Sequence, residues 1–121
     1  MNKYTAACLI LIAILTCSAV GADDEQALFV VHFTTGPNWD QDQPPTAQDG
    51  FQGHSSNLGH LREQGKIAFG ARYGEYGMIF FASESIDAAR QILDKDPGVV
   101  AGIFTYEIAP MNVFYPWRES K

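Results

Sequence analysis

The sequence predicts a single α+β domain, and three observations carry that prediction. The chain has 121 residues, which is room for one hydrophobic core and not for two. Its composition, 46% hydrophobic and 18% charged, is that of a globular protein. Along the chain, short apolar β-branched runs alternate with stretches of helical periodicity in the order strand, helix, strand, strand, helix, strand.

The first strand and the loop after it stand at the start of this pattern. Residues 27–34 are rich in β-branched and aromatic side chains, which predicts a buried strand. Alternate residues of a strand point to opposite faces, so His32 shares a face with Leu28 and Val30. The loop that follows, residues 35–48, contains Trp39 and four prolines and glycines, and loops of this length are often binding elements or lids.

Residues 49–64 predict the first helix, which Gly65 ends. His54 falls on the apolar stripe of this helix, whereas His60 lies about 120° around the helix axis, in a position typical of a solvated residue. The stripe consists of Phe51, Leu58 and Leu61.

The rest of the chain predicts three more strands and a second helix. Two short apolar strands are joined by five residues, an arrangement typical of a hairpin. A serine caps the next helix, and Pro97 ends it because proline disfavours helical geometry in the residue before it. The predicted bounds are 66–71 and 77–82 for the hairpin strands, Ser83 or Ser85 to Leu93 for the helix, and 103–109 for the last strand.

The order βαββαβ predicts the ferredoxin-like arrangement, a four-stranded antiparallel sheet with both helices on one face. Two helices cover only one face of such a sheet. The opposite face would expose apolar side chains to water, and a second subunit is the simplest cover for it. We therefore expect a homodimer.

The first 22 residues have the layout of a secretory signal peptide. Lys3 gives a positive start, an apolar run covers residues 6–15, and small residues lead to Ala22. We expect this segment to direct the protein to the periplasm or out of the cell, leaving a domain of residues 23–121. A membrane anchor is the alternative, although spanning a bilayer takes roughly 20 apolar residues. A lipid attachment at Cys17, instead of a released protein, also remains open.

Charge and cysteine content exclude several classes of function. Without the signal segment the formal charge is −7 and the basic residues are scattered, so we expect neither nucleic acid nor a membrane surface as a partner. Both cysteines, Cys8 and Cys17, leave with that segment, which removes disulfides, thiol nucleophiles and thiolate ligands. The three histidines lack the spacing of metal ligands, and we expect no metal and no cofactor.

Three segments resemble one known family. His54 lies eleven residues before the helix-ending Gly65, and residues 83–90 and 96–104 follow with a helix and an Asp-Pro step. This order is similar to that of the YCII-related (YciI-like) domains, and the resemblance covers about residues 27–114. It implies a dimeric α+β barrel and a His and Asp pair as the active site, here His54 and Asp96. The long proline-rich loop and the export signal depart from the family pattern.

The chemistry of that pair follows from its residue types. A histidine beside a carboxylate is held in one tautomer and can take up or return a proton near neutral pH. Such a pair suits lyase, isomerase or hydrolase reactions of a small organic molecule, which by analogy with related barrels is cyclic or aromatic. A purely structural role stays open for both residues: His54 as a packed core residue and Asp96 as a turn residue. The protein would then be a non-catalytic ligand-binding or accessory dimer.

Three further residues are candidates for substrate binding: His32, Trp39 and Tyr73. His32 either lines the same cavity as His54 or lies in the dimer interface. The two aromatic residues either ring a pocket or pack on their own scaffold. No pattern in the sequence identifies the substrate.

Overall fold

The computed structural model describes residues 26–120, and these form four strands, three helices and one 3-10 turn. Every predicted strand and helix is present, with ends that differ by at most three residues. One short helix follows the Asp-Pro step, where only a turn was expected. The elements are β1 (Ala27–Thr35), a 3-10 turn (Pro45–Ala47), α1 (Phe51–Glu63), β2 (Ile67–Tyr73), β3 (Tyr76–Ser83), α2 (Ile86–Leu93), α3 (Pro97–Val100) and β4 (Phe104–Pro110).

The four strands form one antiparallel sheet in the order β2-β3-β1-β4. β1 pairs with β3 on one side and with β4 on the other, so the first strand of the sequence lies in the middle of the sheet. The prediction of an α+β fold with a four-stranded antiparallel sheet and a βαββαβ order of the main elements is confirmed.

The hydrophobic core lies between one face of the sheet and the two main helices. β1 contributes Val31 and Phe33 and β3 contributes Phe81, all nearly inaccessible to solvent. Leu61 of α1 and Leu93 of α2 belong to the same cluster, so both helices pack on this face, as predicted. Burial of an aliphatic or aromatic side chain of this size contributes about 1.5–3 kcal/mol relative to its exposure.

Individual residues mark the end of α1 and the start of α2. Gly65, directly after α1, has a φ of 75°, the left-handed conformation that glycine adopts without steric cost. The Ser85 hydroxyl accepts a hydrogen bond of 3.0 Å from the Ala88 amide and caps α2. Of the two serines that the sequence offered, Ser85 is therefore the cap.

The other face of the sheet carries no helix and has an apolar centre. Half-buried side chains such as Val30 and Phe80 occupy it, and Phe69, Tyr73 and Tyr76 are 42 to 49% exposed. We call this surface the open face. The segment after β4 is also apolar and exposed, with Phe114, Tyr115 and Trp117 more than four-fifths accessible.

The predicted signal segment, residues 1–22, lies outside the described residues. Among residues 26–120, no helix has both the length and the apolar character needed to cross a membrane.

Candidate functional site

The structure brings His54 and Asp96 into direct contact. The two residues are 42 positions apart in the chain, and His54 Nδ1 lies 2.7 Å from Asp96 Oδ2. Both are buried, His54 with 9% of its surface exposed and Asp96 with 1%. A carboxylate only accepts hydrogen bonds, so Nδ1 carries the proton. In the neutral ring, Nε2 is then the nitrogen with a free lone pair.

The Asp96 carboxylate is held by three other donors. Asn57 Nδ2 donates to Oδ1 at 2.8 Å, and the amides of Gly98 and Val99 donate to Oδ2 at 2.9 and 3.2 Å. The two backbone bonds make Asp96 the N-cap of α3. One side chain therefore orients the histidine and starts a helix, which leaves the carboxylate little freedom to move.

These contacts decide the charge of Asp96. Burial by itself would raise the pKa of its carboxyl group, but the hydrogen bonds from His54 and Asn57, the charge of His54 and the backbone bond from Val99 together lower that pKa below its ordinary value of 3.8. Asp96 is thus an anion at neutral pH, and it accepts the hydrogen bond from His54 Nδ1 as a carboxylate.

Two glycines allow α1 and α3 to approach closely enough for this pair to form. A Cβ atom on Gly98 would lie 2.8 Å from Cδ2 of Phe104 and 3.0 Å from Cβ of His54. A Cβ atom on Gly53 would lie 2.8 Å from Cβ of Pro97. Larger residues at these two positions would push α3 away from α1, and with it Asp96 away from the histidine.

Aromatic rings enclose the imidazole. The Phe33 ring meets the His54 ring edge-on, with centroids 5.3 Å apart, and the Phe104 ring lies 4.6 Å from it at an angle of 45°. Rings in this position keep water from the pair and strengthen its hydrogen bond, because the local dielectric constant is low.

His54 lines a cavity of about 610 Å³ between α1 and the β2–β3 hairpin. Small-molecule sites in proteins typically have about 300–1,000 Å³. Four aromatic side chains, several aliphatic ones and a few polar groups surround it. The wall residues with side chains of note are Phe33, Trp39, Gln41, Phe51, His54, Ser55, Leu58, Arg72, Glu75 and Phe104.

The cavity exists because two strand positions that point toward it carry no side chain. Gly70 pairs with Ile79 and Gly77 pairs with Phe33, so both lie on the helix-covered face. A Cβ atom at either glycine would make only ordinary contacts, the nearest at 3.6 and 3.7 Å. Side chains would fit there, and their absence leaves the space open.

The long loop forms a fixed wall of this cavity. Trp39 packs on Phe104 with ring centroids 5.6 Å apart. The amide of Gly36 donates to Ile103 at 2.8 Å, which anchors the start of the loop. At its end the buried Gln48 side chain accepts from the Asp40 amide at 2.9 Å and donates to the Asp40 carbonyl at 2.7 Å. These contacts hold the loop in place beside the cavity, and its role as a binding element stays a prediction.

The three other substrate-binding candidates lie in two different places in the structure. Trp39 lines the cavity together with His54. His32 and Tyr73 do not line it: they stack on each other at 5.9 Å on the open face, where Tyr76 joins them. The reason is strand alternation, because Val31 and Phe33 occupy the core and force His32 to the opposite side. Within one chain, His32 and Tyr73 therefore cannot contact a ligand beside His54.

His60 lies away from the cavity, as its helical position predicts. Its side chain is 74% exposed, and Nδ1 is 3.7 Å from a carboxylate oxygen of Glu63 on the next turn of α1.

Sequence reasoning missed Asn57 and Arg72. Asn57 follows His54 by three positions on one helix, so both side chains lie on the same side of α1, and that spacing was a usable signal. Arg72 appeared in the sequence only as part of a hairpin connection. Its place on the cavity wall depends on the register between β2 and β3.

No group of three or more potential metal ligands is found in the part of the chain that the structure describes. No model of a known protein family matches the chain, and no curated protein matches it either.

Proposed function

We propose that this protein is an exported enzyme of the YCII-related kind that acts on a small organic molecule, with His54 as general acid and base and Asp96 as its positioning residue. The observation that supports the proposal is the 2.7 Å bond between the two side chains on the wall of an aromatic cavity. A histidine in the core for packing alone would need no open space beside it.

In this proposal the proton moves through the ring of His54. With the proton on Nδ1 held by Asp96, Nε2 removes a proton from the ligand or from a water molecule, and the imidazolium that forms is stabilised by the carboxylate. Return of the proton to a different atom completes an isomerisation. Its transfer to a leaving group completes an elimination. In a hydrolysis the deprotonated water attacks a carbonyl carbon, the bond from that carbon to the leaving oxygen or nitrogen breaks, and the imidazolium returns its proton to the leaving atom.

Deuterium exchange tests this proposal without knowledge of the substrate. Small cyclic ketones, lactones and aromatic carbonyl compounds are incubated in D₂O with the protein, and incorporation at carbon is followed by NMR. We expect exchange of at least one compound, reduced about 10²- to 10⁴-fold by His54→Gln. His60→Gln is the matched control and leaves the rate unchanged. Compounds that bind but show neither deuterium exchange nor hydrolysis beyond that seen with His54→Gln would make the protein a ligand-binding or accessory dimer instead.

We propose further that the open face is the interface of a homodimer, as the resemblance to dimeric α+β barrels implies. Two observations support this: the apolar centre of that face, and His32 Nε2, a buried nitrogen without a hydrogen-bond partner among residues 26–120. Sedimentation velocity should give a dimer for the wild type and a monomer for Val30→Glu. Gln91→Glu on the exposed side of α2 is the control, and a monomeric wild type would refute the interface.

The proposed export is tested by the mass of the protein recovered from a bacterial periplasm. Cleavage of the signal would leave Asp23 as the first residue. A mass that includes a lipid on Cys17 would show a lipoprotein instead, and an uncleaved chain would contradict the signal.

A further inference from the structure

Among the described residues that line the cavity, Arg72 is the one cation apart from His54 when protonated. The register opposes Arg72 to Gly77 and Gly77 to Phe33, which puts all three positions on the helix-covered face of the sheet. Arg72 forms no ion pair and donates no side-chain hydrogen bond within residues 26–120. The other arginine near the hairpin, Arg62, is engaged by the carbonyls of Ile67 and Ala68.

We propose that the cavity binds a small planar ring compound that carries a carboxylate, with Arg72 as the residue that recognises the carboxylate. This inference rests on the proposed function in one respect, because it takes the cavity beside His54 as the substrate site. It adds the chemical class of the ligand.

The aromatic side chains in the cavity wall favour a planar ligand. Trp39, Phe51 and Phe104 lie around the space beside the imidazole, and Trp39 and Phe104 already pack on each other. Aromatic faces favour a planar partner through offset or edge-on contacts. A volume of about 610 Å³ accommodates one substituted ring and leaves no room for an extended polymer.

The charged residues in the cavity wall favour a carboxylate on the ligand. A guanidinium presents paired N–H donors whose spacing matches the two oxygens of a carboxylate. A phosphate would need more positive charge than one arginine, and no second Lys or Arg is among the described residues that line the cavity. Glu75, in the hairpin turn, is the acidic residue at the rim, and it opposes an anionic ligand.

Binding of benzoate and benzamide tests the inference, because the two differ in charge and hardly in shape. Chemical-shift titrations of the labelled protein give both dissociation constants. We expect benzoate to bind about tenfold more tightly than benzamide to the wild type. Arg72→Gln should make the two constants equal, and Glu75→Gln should tighten benzoate alone. Arg118→Gln, outside the cavity, is the matched control and should preserve the ratio.

The variant Gly77→Leu tests whether benzoate and benzamide bind in this cavity. Extended backbone at this position accepts any side chain, and a leucine there would fill the cavity, so both ligands should lose binding while the spectrum stays that of the folded protein.

Equal binding of benzoate and benzamide to the wild type would overturn the inference, as would a ratio unchanged in Arg72→Gln or binding unaffected by Gly77→Leu. Absence of binding by both compounds would overturn it too. The proposed function fails separately, by the absence of His54-dependent deuterium exchange with neutral compounds, for which Arg72 is not needed.

Discussion

The two faces of the sheet each hold a histidine among aromatic rings, yet the two histidines differ in every polar contact. His54, on the helix-covered face, bonds to a buried carboxylate that three further donors hold in place. His32, on the open face, packs against Tyr73 and Tyr76, and its Nε2 is buried without a partner among the described residues. Aromatic surroundings alone do not fix a proton. What distinguishes the hydrogen-bonded imidazole of His54 from the packed imidazole of His32 is the carboxylate of Asp96.

Removal of that carboxylate should have the largest effect on stability. Asp96→Leu leaves His54, Asn57 and two backbone amides without their acceptor in a buried place, so we expect a loss of about 3–5 kcal/mol in the free energy of unfolding. Urea denaturation measures it. Asp49→Ala, at an exposed position before α1, serves as the control and should change stability by less than about 0.5 kcal/mol. A similar loss in both variants would mean that the Asp96 network contributes little.

The close approach of α3 to His54 should give the next largest effect. A methyl group at position 98 collides with Phe104 and His54, so Gly98→Ala should cost about 1–3 kcal/mol. Gly59→Ala, on the exposed side of α1 with nothing within 4 Å of its Cβ, should instead stabilise by about 0.5–1 kcal/mol. Thermal unfolding of the two variants side by side checks the opposite signs. Equal signs would show that the contact between α1 and α3 is not tight.

Substitution of each histidine by phenylalanine compares the two faces directly. His54→Phe leaves the buried Asp96 carboxylate without its histidine partner and should lower the free energy of unfolding by about 2–3 kcal/mol. His32→Phe removes a nitrogen without a partner in the described chain and should lie within about 1 kcal/mol of the wild type. Denaturant midpoints of both variants give the comparison. A large loss for His32→Phe would indicate that the partner subunit of the proposed dimer supplies a bond to it.

The pH dependence should give the smallest effect, and its sign is fixed by the lowered pKa of Asp96. A group with a lower pKa in the folded than in the unfolded protein stabilises the fold above its unfolded value of 3.8, and this contribution is lost as the pH falls through the folded value. The stability difference between wild type and Asp96→Asn should therefore be constant from pH 7 to about 5 and shrink below about pH 4. Urea unfolding at a series of pH values measures it, and a difference that grows in acid would contradict the assignment.

Much of the fold was predictable because its signals are local. Gly65 and Ser85 mark helix ends through backbone geometry and one hydrogen bond, and each acts within a few residues. The short helix α3 was missed although its cap, Asp96, directly precedes a proline, a pattern typical of a helix start.

The candidate site was less predictable because its contacts join distant segments. The pairing of His54 with Asp96 came from a family resemblance, since no local rule brings together positions 42 residues apart. The face of His32 was within reach of the sequence, because alternation with Val31 and Phe33 already excludes the cavity. Arg72 was out of reach, since its position depends on the bulge-shifted pairing of β2 with β3.

The two hairpin glycines that leave the cavity open have a consequence for the evolution of this protein. Neither Gly70 nor Gly77 adopts the left-handed backbone that would demand glycine, so a single codon change at either site can introduce a side chain without disturbing the sheet. Each such change would shrink the pocket by a methyl group or more while the histidine and its carboxylate stay in place. Under the proposed function, the size of the ligand can therefore change in evolution while the proposed proton transfer by His54 is kept.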